Sequence, residues 1–210
     1  MRALRRVSVV LSLVVVTVAA SWTAMALLRT PFSGTEAERA AVRDAAAAIG
    51  VPVEGWKTLA VGATAVAAAP REAVWSAFSR LPDWPRVTPG LVVSARWLTE
   101  PGFAAGARFE QTLALGFPLG TVVSREVVTQ VVPGRQALWC KDEAGVASCH
   151  LWRFDDVGPG RTRIVDVEVL HGAPIGAVAP FVTSRWSRAF QDAASGLAEA
   201  AEGAQPPPGS

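Results

Sequence analysis

Tyrosine is absent from this chain, and cysteine, histidine and methionine occur only twice each among 210 residues. With so few soft or imidazole ligands, two separated histidines do not make a metal site. The HExxH, CxxC, GxSxG, P-loop and Rossmann glycine patterns are missing too, and with them the enzyme classes that leave a strong sequence trace. Ser148 and His150, close together on one strand, are not expected to act as a nucleophile pair. Basic residues are scattered, without a run or aromatic interleaving, so nucleic acid is not an expected partner. No cofactor or metal is expected. Acid–base chemistry survives these absences, since it needs only one placed group.

What is present begins with residues 7–28, an apolar run broken only by Ser and Thr and preceded by Arg2, Arg5 and Arg6. At about 1.5 Å per residue such a run crosses a ~30 Å hydrocarbon core, and the arginines keep the N-terminus in the cytoplasm. A signal peptide cleaved after Ala24-Met25-Ala26 is the alternative. Either reading puts the rest of the chain outside the cytoplasm, tethered or secreted. Setting aside those three arginines leaves 17 basic against 18 acidic residues. Eight Trp and eight Phe supply a large apolar aromatic area whose only polar handles are indole N–H groups.

The expected organisation is a leader over 1–29, a linker with a short helix over 30–56, one domain over 57–202 and a disordered tail over 203–210. Thr35 and Glu38 have capping-box spacing ahead of an Ala-rich helix ending near Gly50, which spaces the domain from the membrane or packs on its side. A strand over 57–68 precedes a helix opened by Pro70, with Val74, Phe78 and Leu81 on one face. Strands are expected over 91–98, 106–115, 120–132, 136–142, 147–155 and 162–170, joined by short turns and therefore antiparallel. Residues 172–180 read as a break before a last helix over 180–201, with Phe181, Trp186, Phe190 and Leu197 at helical spacing. This order is α+β.

The chain resembles the START-like, or SRPBCC, superfamily of polyketide cyclases/dehydrases and lipid-transport proteins. The resemblance is carried by Ala69-Pro-Arg-Glu-Ala-Val-Trp-Ser-Ala-Phe78, Leu81-Pro-Asp-Trp-Pro85, Gly106-Ala-Arg-Phe109, Pro133-Gly-Arg135, His150-Leu-Trp-Arg-Phe154 and Gly160-Arg-Thr-Arg163, across 57–202. It implies a helix-grip fold, a curved antiparallel sheet wrapped around the C-terminal helix with an apolar cavity between them. It implies no shared catalytic residue.

A two-residue turn at Ala144-Gly145 would pair Cys140 with Cys149 at a non-hydrogen-bonded site, close enough for a disulfide in an oxidising compartment. That register gives Trp139, His150, Trp152 and Phe154 one face. Carried through the Gly158-Pro159-Gly160 turn, it adds Val165, Val167 and Val169 to the aromatic face and sends Asp166 and Glu168 to the cysteine face. Glu110 and Glu126 are expected on a solvated face with Arg108 and Arg125. The expected pocket lining is Trp139, His150, Trp152, Phe154 and Val167 from the sheet and Trp186 and Phe190 from the last helix, with Trp84 and Phe117 gating the entrance.

Three readings follow. The first is a tethered or secreted domain binding an apolar small molecule, a lipid or a polyketide-like compound. The second is a cyclase or dehydratase using His150 or His171 as general acid/base; parity points both inward, the alternative being a satisfied core histidine at His150 and a solvent-facing His171 past the strand end. The third is a scaffold whose own aromatics fill the cavity. Oligomeric state stays open.

Overall fold

A computed structural model of the chain describes residues 32–116 and 119–204. The leader, Phe117 and residues 205–210 of the expected tail lie outside the described residues. Helix α1 (Glu36–Ala48) starts with the reciprocal cap its sequence calls for: Glu38 N–H donates to Thr35 Oγ1, and Thr35 N–H donates to Glu38 Oε2 at 2.7 Å. Strand β1 (Thr58–Ala67) leads into α2 (Arg71–Ser79), a 3₁₀ turn (Leu81–Asp83) and the short α3 (Trp84–Val87). Six strands follow: β2 (Val92–Trp97), β3 (Arg108–Gly116), β4 (Gly120–Val132), β5 (Gln136–Glu143), β6 (Val146–Gly158) and β7 (Arg161–His171). Helix α4 (Ala173–Gly203) closes the chain.

The strands form one antiparallel sheet in the order β1-β7-β6-β5-β4-β3-β2. Short turns make β2 to β7 sequential neighbours, and β1 is added outside β7. Against the concave face lies α4, presenting Ile175, Ala179, Val182, Trp186, Phe190, Ala193 and Leu197 at three- and four-residue steps. Near its C-terminal end, Gly196 lies on the Val87 carbonyl, where a Cβ would come within 2.3 Å of the oxygen. On the convex face, α1 packs Ala41, Val42, Ala45 and Ala46 against Leu138, Cys149, Leu151, Val165, Val167 and Val169. Apolar surface is thus buried on both sides of β6 and β7, although only one side faces the interior.

Two expectations change. The last helix begins at Ala173 and runs through Pro180, where a break was expected. Pro174 sits in the first turn, where its missing N–H costs nothing, and Pro180 forfeits only the bond to Gly176. Burial of Ile175, Ala179 and Val182 holds that turn in place, while Phe181 is 47% exposed rather than on the packed face.

The second change concerns register. The β5–β6 hairpin pairs Glu143 with Val146 and Cys140 with Cys149, which form a disulfide across a Cα separation of 4.1 Å. Its turn residues Ala144 and Gly145 have φ of 52° and 76°, both in the left-handed region that a tight hairpin needs. Beyond that hairpin, β6 and β7 pair one residue out of the expected step. Trp152 faces Asp166 and His150 faces Glu168, because a bulge between Asp156 and Gly158 inserts an extra residue. A slip of one residue exchanges the faces of a whole strand. Val165, Val167 and Val169 therefore lie on the convex face under α1, and Asp166 and Glu168 point into the interior.

Candidate functional site

Between the concave face and α4 lies a cavity of about 460 Å³. This falls within the ~300–1,000 Å³ range of small-molecule sites. Leu91 and Val92, the β3 side chains Leu113 and Leu115, and Leu119 and Val122 of the β3–β4 hairpin form one side. Ala144, Val146, Leu170 and Ile175 form another, and Trp186, Ala189, Phe190 and Ala193 of α4 cover it.

Aromatic stacking fills the far end of the interior. Phe78 lies 4.6 Å from Phe103 and 5.2 Å from Phe154, centroid to centroid, and Phe109 meets Trp139 edge-on at 5.3 Å. These rings fill one end of the interior, and the cavity lies open beside them. Trp84 belongs to this plug: it is 4% exposed, and its Nε1–H donates to the Phe78 carbonyl at 2.8 Å. It also lines the cavity. Phe154 is buried behind Trp152 against Trp75 and Phe78 and does not reach the cavity.

One wall is polar. Glu126, 5% exposed, accepts from Ser124 Oγ at 2.5 Å and from Lys141 Nζ at 3.1 Å, and Lys141 also donates to Ser124. Gln111 Nε2 lies 3.5 Å from the same carboxylate. Alternation in β4 turns Arg125 outward, where it and Arg96 hold Glu110 on the convex surface. Glu126 therefore does not share the solvated face expected for it. Beside this group, His150 Nε2 pairs with Asp166 Oδ1 at 2.6 Å, and Glu168 stands opposite His150. The imidazole is packed against Trp139 at 4.7 Å and stacked on Phe190 at 5.2 Å.

Burial works against a proton on His150. The Asp166 carboxylate outweighs it, helped by Glu168 and Glu126, and raises the imidazole above its ordinary 6.5. Burial likewise pushes Asp166 and Glu168 above the usual carboxylate range in spite of His150. The cluster thus holds protons that the same groups would release in water. Three buried polar atoms here have no hydrogen-bond partner among the described residues: Asp166 Oδ2, Trp152 Nε1 and Trp186 Nε1. Among the described residues, no three His, Cys, Asp or Glu side chains converge as metal ligands.

The structure brings Trp84, Trp139, His150, Trp152, Trp186 and Phe190 to the cavity. Val167 is not there: it is buried on the convex face with Val165 and Val169. His171 is also not there. It shares the parity of Val169, and its Nδ1 lies 3.0 Å from Thr58 Oγ1. Sequence reasoning missed Gln111, Ser124, Glu126, Lys141, Asp166 and Glu168. Lys141 was within reach, since it stands two residues beyond the inward Trp139 on the same strand.

A curved antiparallel sheet closed by a long C-terminal helix over an internal cavity defines the helix-grip class of proteins. The chain belongs to the polyketide cyclase / dehydrase and lipid transport family, whose pattern matches residues 58–202. Truncated norcoclaurine synthase from Thalictrum flavum has the same fold, with a TM-score of 0.52 at 18% identity over 68% of this chain and 92% of that one. The Zhui aromatase/cyclase from Streptomyces sp. R1128 gives 0.54 at 18% identity over 73% and 99%. Major latex-like protein 151 from Panax ginseng gives 0.53 at 9% identity over 70% and 97%. No curated protein matches the sequence.

Proposed function

We propose that this protein is a membrane-tethered, extracytoplasmic domain that binds and carries an apolar small molecule in its helix-grip cavity. The observation that carries this reading is the 460 Å³ cavity, whose wall is mostly apolar. Binding there removes ligand surface from water at about 25 cal/mol per Å², and the polar wall fixes its orientation. The tether rests on residues 7–28 alone. Among the described residues no helix is long and apolar enough to cross a membrane.

Native mass spectrometry of the full chain from an export-competent host tests the proposal. The expected spectrum carries excess mass that vanishes on denaturation. Ala189→Trp, which places an indole in the cavity from α4, should abolish that excess. A folded wild-type chain that carries nothing and takes up no apolar dye overturns the reading. Protease accessibility in intact cells tests the address: a domain protected until the membrane is opened contradicts it.

One observation favours a second reading. A histidine oriented by a buried carboxylate inside an apolar cavity is the arrangement of a general acid/base, as in a cyclase or dehydratase. His150→Gln should then abolish turnover of a cavity-bound enone or aromatic precursor while leaving its binding intact. Unchanged turnover removes this reading.

A further inference from the structure

The charge of the cavity wall is unbalanced. Its charged side chains are Glu126, Lys141, His150, Asp166 and Glu168. Lys141 is committed to Glu126 at 3.1 Å, and His150 to Asp166 at 2.6 Å. Two basic side chains thus face three carboxyl groups, and one carboxyl group is left without a basic partner. Glu168 is the one without a salt bridge or hydrogen bond among the described residues, and it faces the same space as Trp152, Trp186 and Phe190.

A second observation is independent of this balance. Asp166 is 1% exposed, forms part of the cavity wall, and has an Oδ2 without a hydrogen-bond partner among the described residues. Buried carboxylate oxygens are ordinarily satisfied. Four tryptophans and a phenylalanine line the same cavity, and their ring faces are negative. The carboxyl groups and ring faces attract positive charge, while the unpartnered Trp152 and Trp186 N–H groups on the same wall are left to an uncharged acceptor on the ligand body.

The geometry points to a hydrophobic amine as the ligand, with a protonated nitrogen seated against Glu168 and Asp166 and an apolar body between α4 and the sheet. This rests on the cavity-binding reading and narrows its ligand class. It ranks fatty acids and phosphate-bearing lipids below the amine, because either would set an anion against the carboxyl groups.

Isothermal titration calorimetry on the full chain in nanodiscs, with 4-phenylbutylamine, 4-phenylbutanol and 4-phenylbutyrate, tests the inference. Only the head group differs among these probes. The amine should bind about tenfold more tightly than the alcohol, the scale of one charge-assisted hydrogen bond, and the carboxylate should bind weakest. Glu168→Gln should bring the amine down towards the alcohol. Carboxylate binding equal to or tighter than amine binding overturns the ligand class while leaving the cavity reading standing. Amine binding no tighter than the alcohol does the same, as does an amine affinity untouched in a folded Glu168→Gln protein. If none of the three binds, the cavity reading itself falls. The wild-type ranking decides the question if the variant does not fold.

Discussion

Stability should fall as pH rises from about 5 to 8, the reverse of a protein held together by surface carboxylate pairs. His150, Asp166 and Glu168 all have folded pKa values above their ordinary 6.5, 3.8 and 4.5. Folding therefore favours the protonated form of each. The His150 contribution is fully present below pH 6.5 and is lost as pH rises through its higher folded value. The cost of ionising Asp166 and Glu168 in place starts above pH 3.8 and 4.5 and grows until their folded values are passed. Lys141 and Glu126, the other charged groups of this wall, face the same cluster. The groups with lowered values, Glu36 and Glu110, lie on the surface and act below pH 4.5, outside this window. Each excess proton held by the folded state gives a slope of about 1.4 kcal/mol per pH unit. At about 2–4 °C per kcal/mol for a domain of this size, Tm should drop by about 3–5 °C per unit. Thermal unfolding at constant ionic strength between pH 5 and 8 measures this. Asp166→Asn removes one ionisable group and the main charge that raises His150, so its slope should be visibly flatter. A wild-type Tm that is level or rising across this window refutes the reasoning, as does an Asp166→Asn slope equal to wild type.

Two further outcomes test the arrangement of the sheet. Val167→Ala opens a small void under α1 and should cost about 1–3 kcal/mol in urea unfolding, with apolar dye affinity unchanged; a loss of dye binding at unchanged stability would put Val167 in the cavity. Replacing Cys140 and Cys149 together by serine should cost about 2–3 kcal/mol on the chain-entropy account, and intact mass before and after reduction of the wild-type protein should differ by two hydrogens. A loss well under 1 kcal/mol would mean that the hairpin's turn and cross-strand packing hold the register unaided.

The particular strengths of the sequence reading lie where the signal is local. The Thr35–Glu38 cap, the six strands, the Ala144-Gly145 turn and the Cys140–Cys149 pairing were all legible, because each depends on residues a few positions apart. From that hairpin the inward parity of Trp139, His150 and Trp152 followed without any structure. Helix α4 was read too short because Pro180 is a strong local breaker, and only its packing against the sheet overrides it.

What the tertiary structure alone decided is the chemistry of the wall. An apolar Val165, Val167, Val169 run alternating with Asp166 and Glu168 reads as valines in and acids out, since one buried face is the default for an antiparallel sheet. Here α1 buries the convex face as well, and the bulge near Asp156 shifts β7 by one residue. The acids then meet His150 and Lys141 inside. The sequence by itself determined the strands, the hairpin turns and the capped first helix, because propensity, caps and turns act locally. Which face of β7 looks inward was left to an unpaired residue near the end of β6 and a helix over a hundred residues away, and local pattern carries neither.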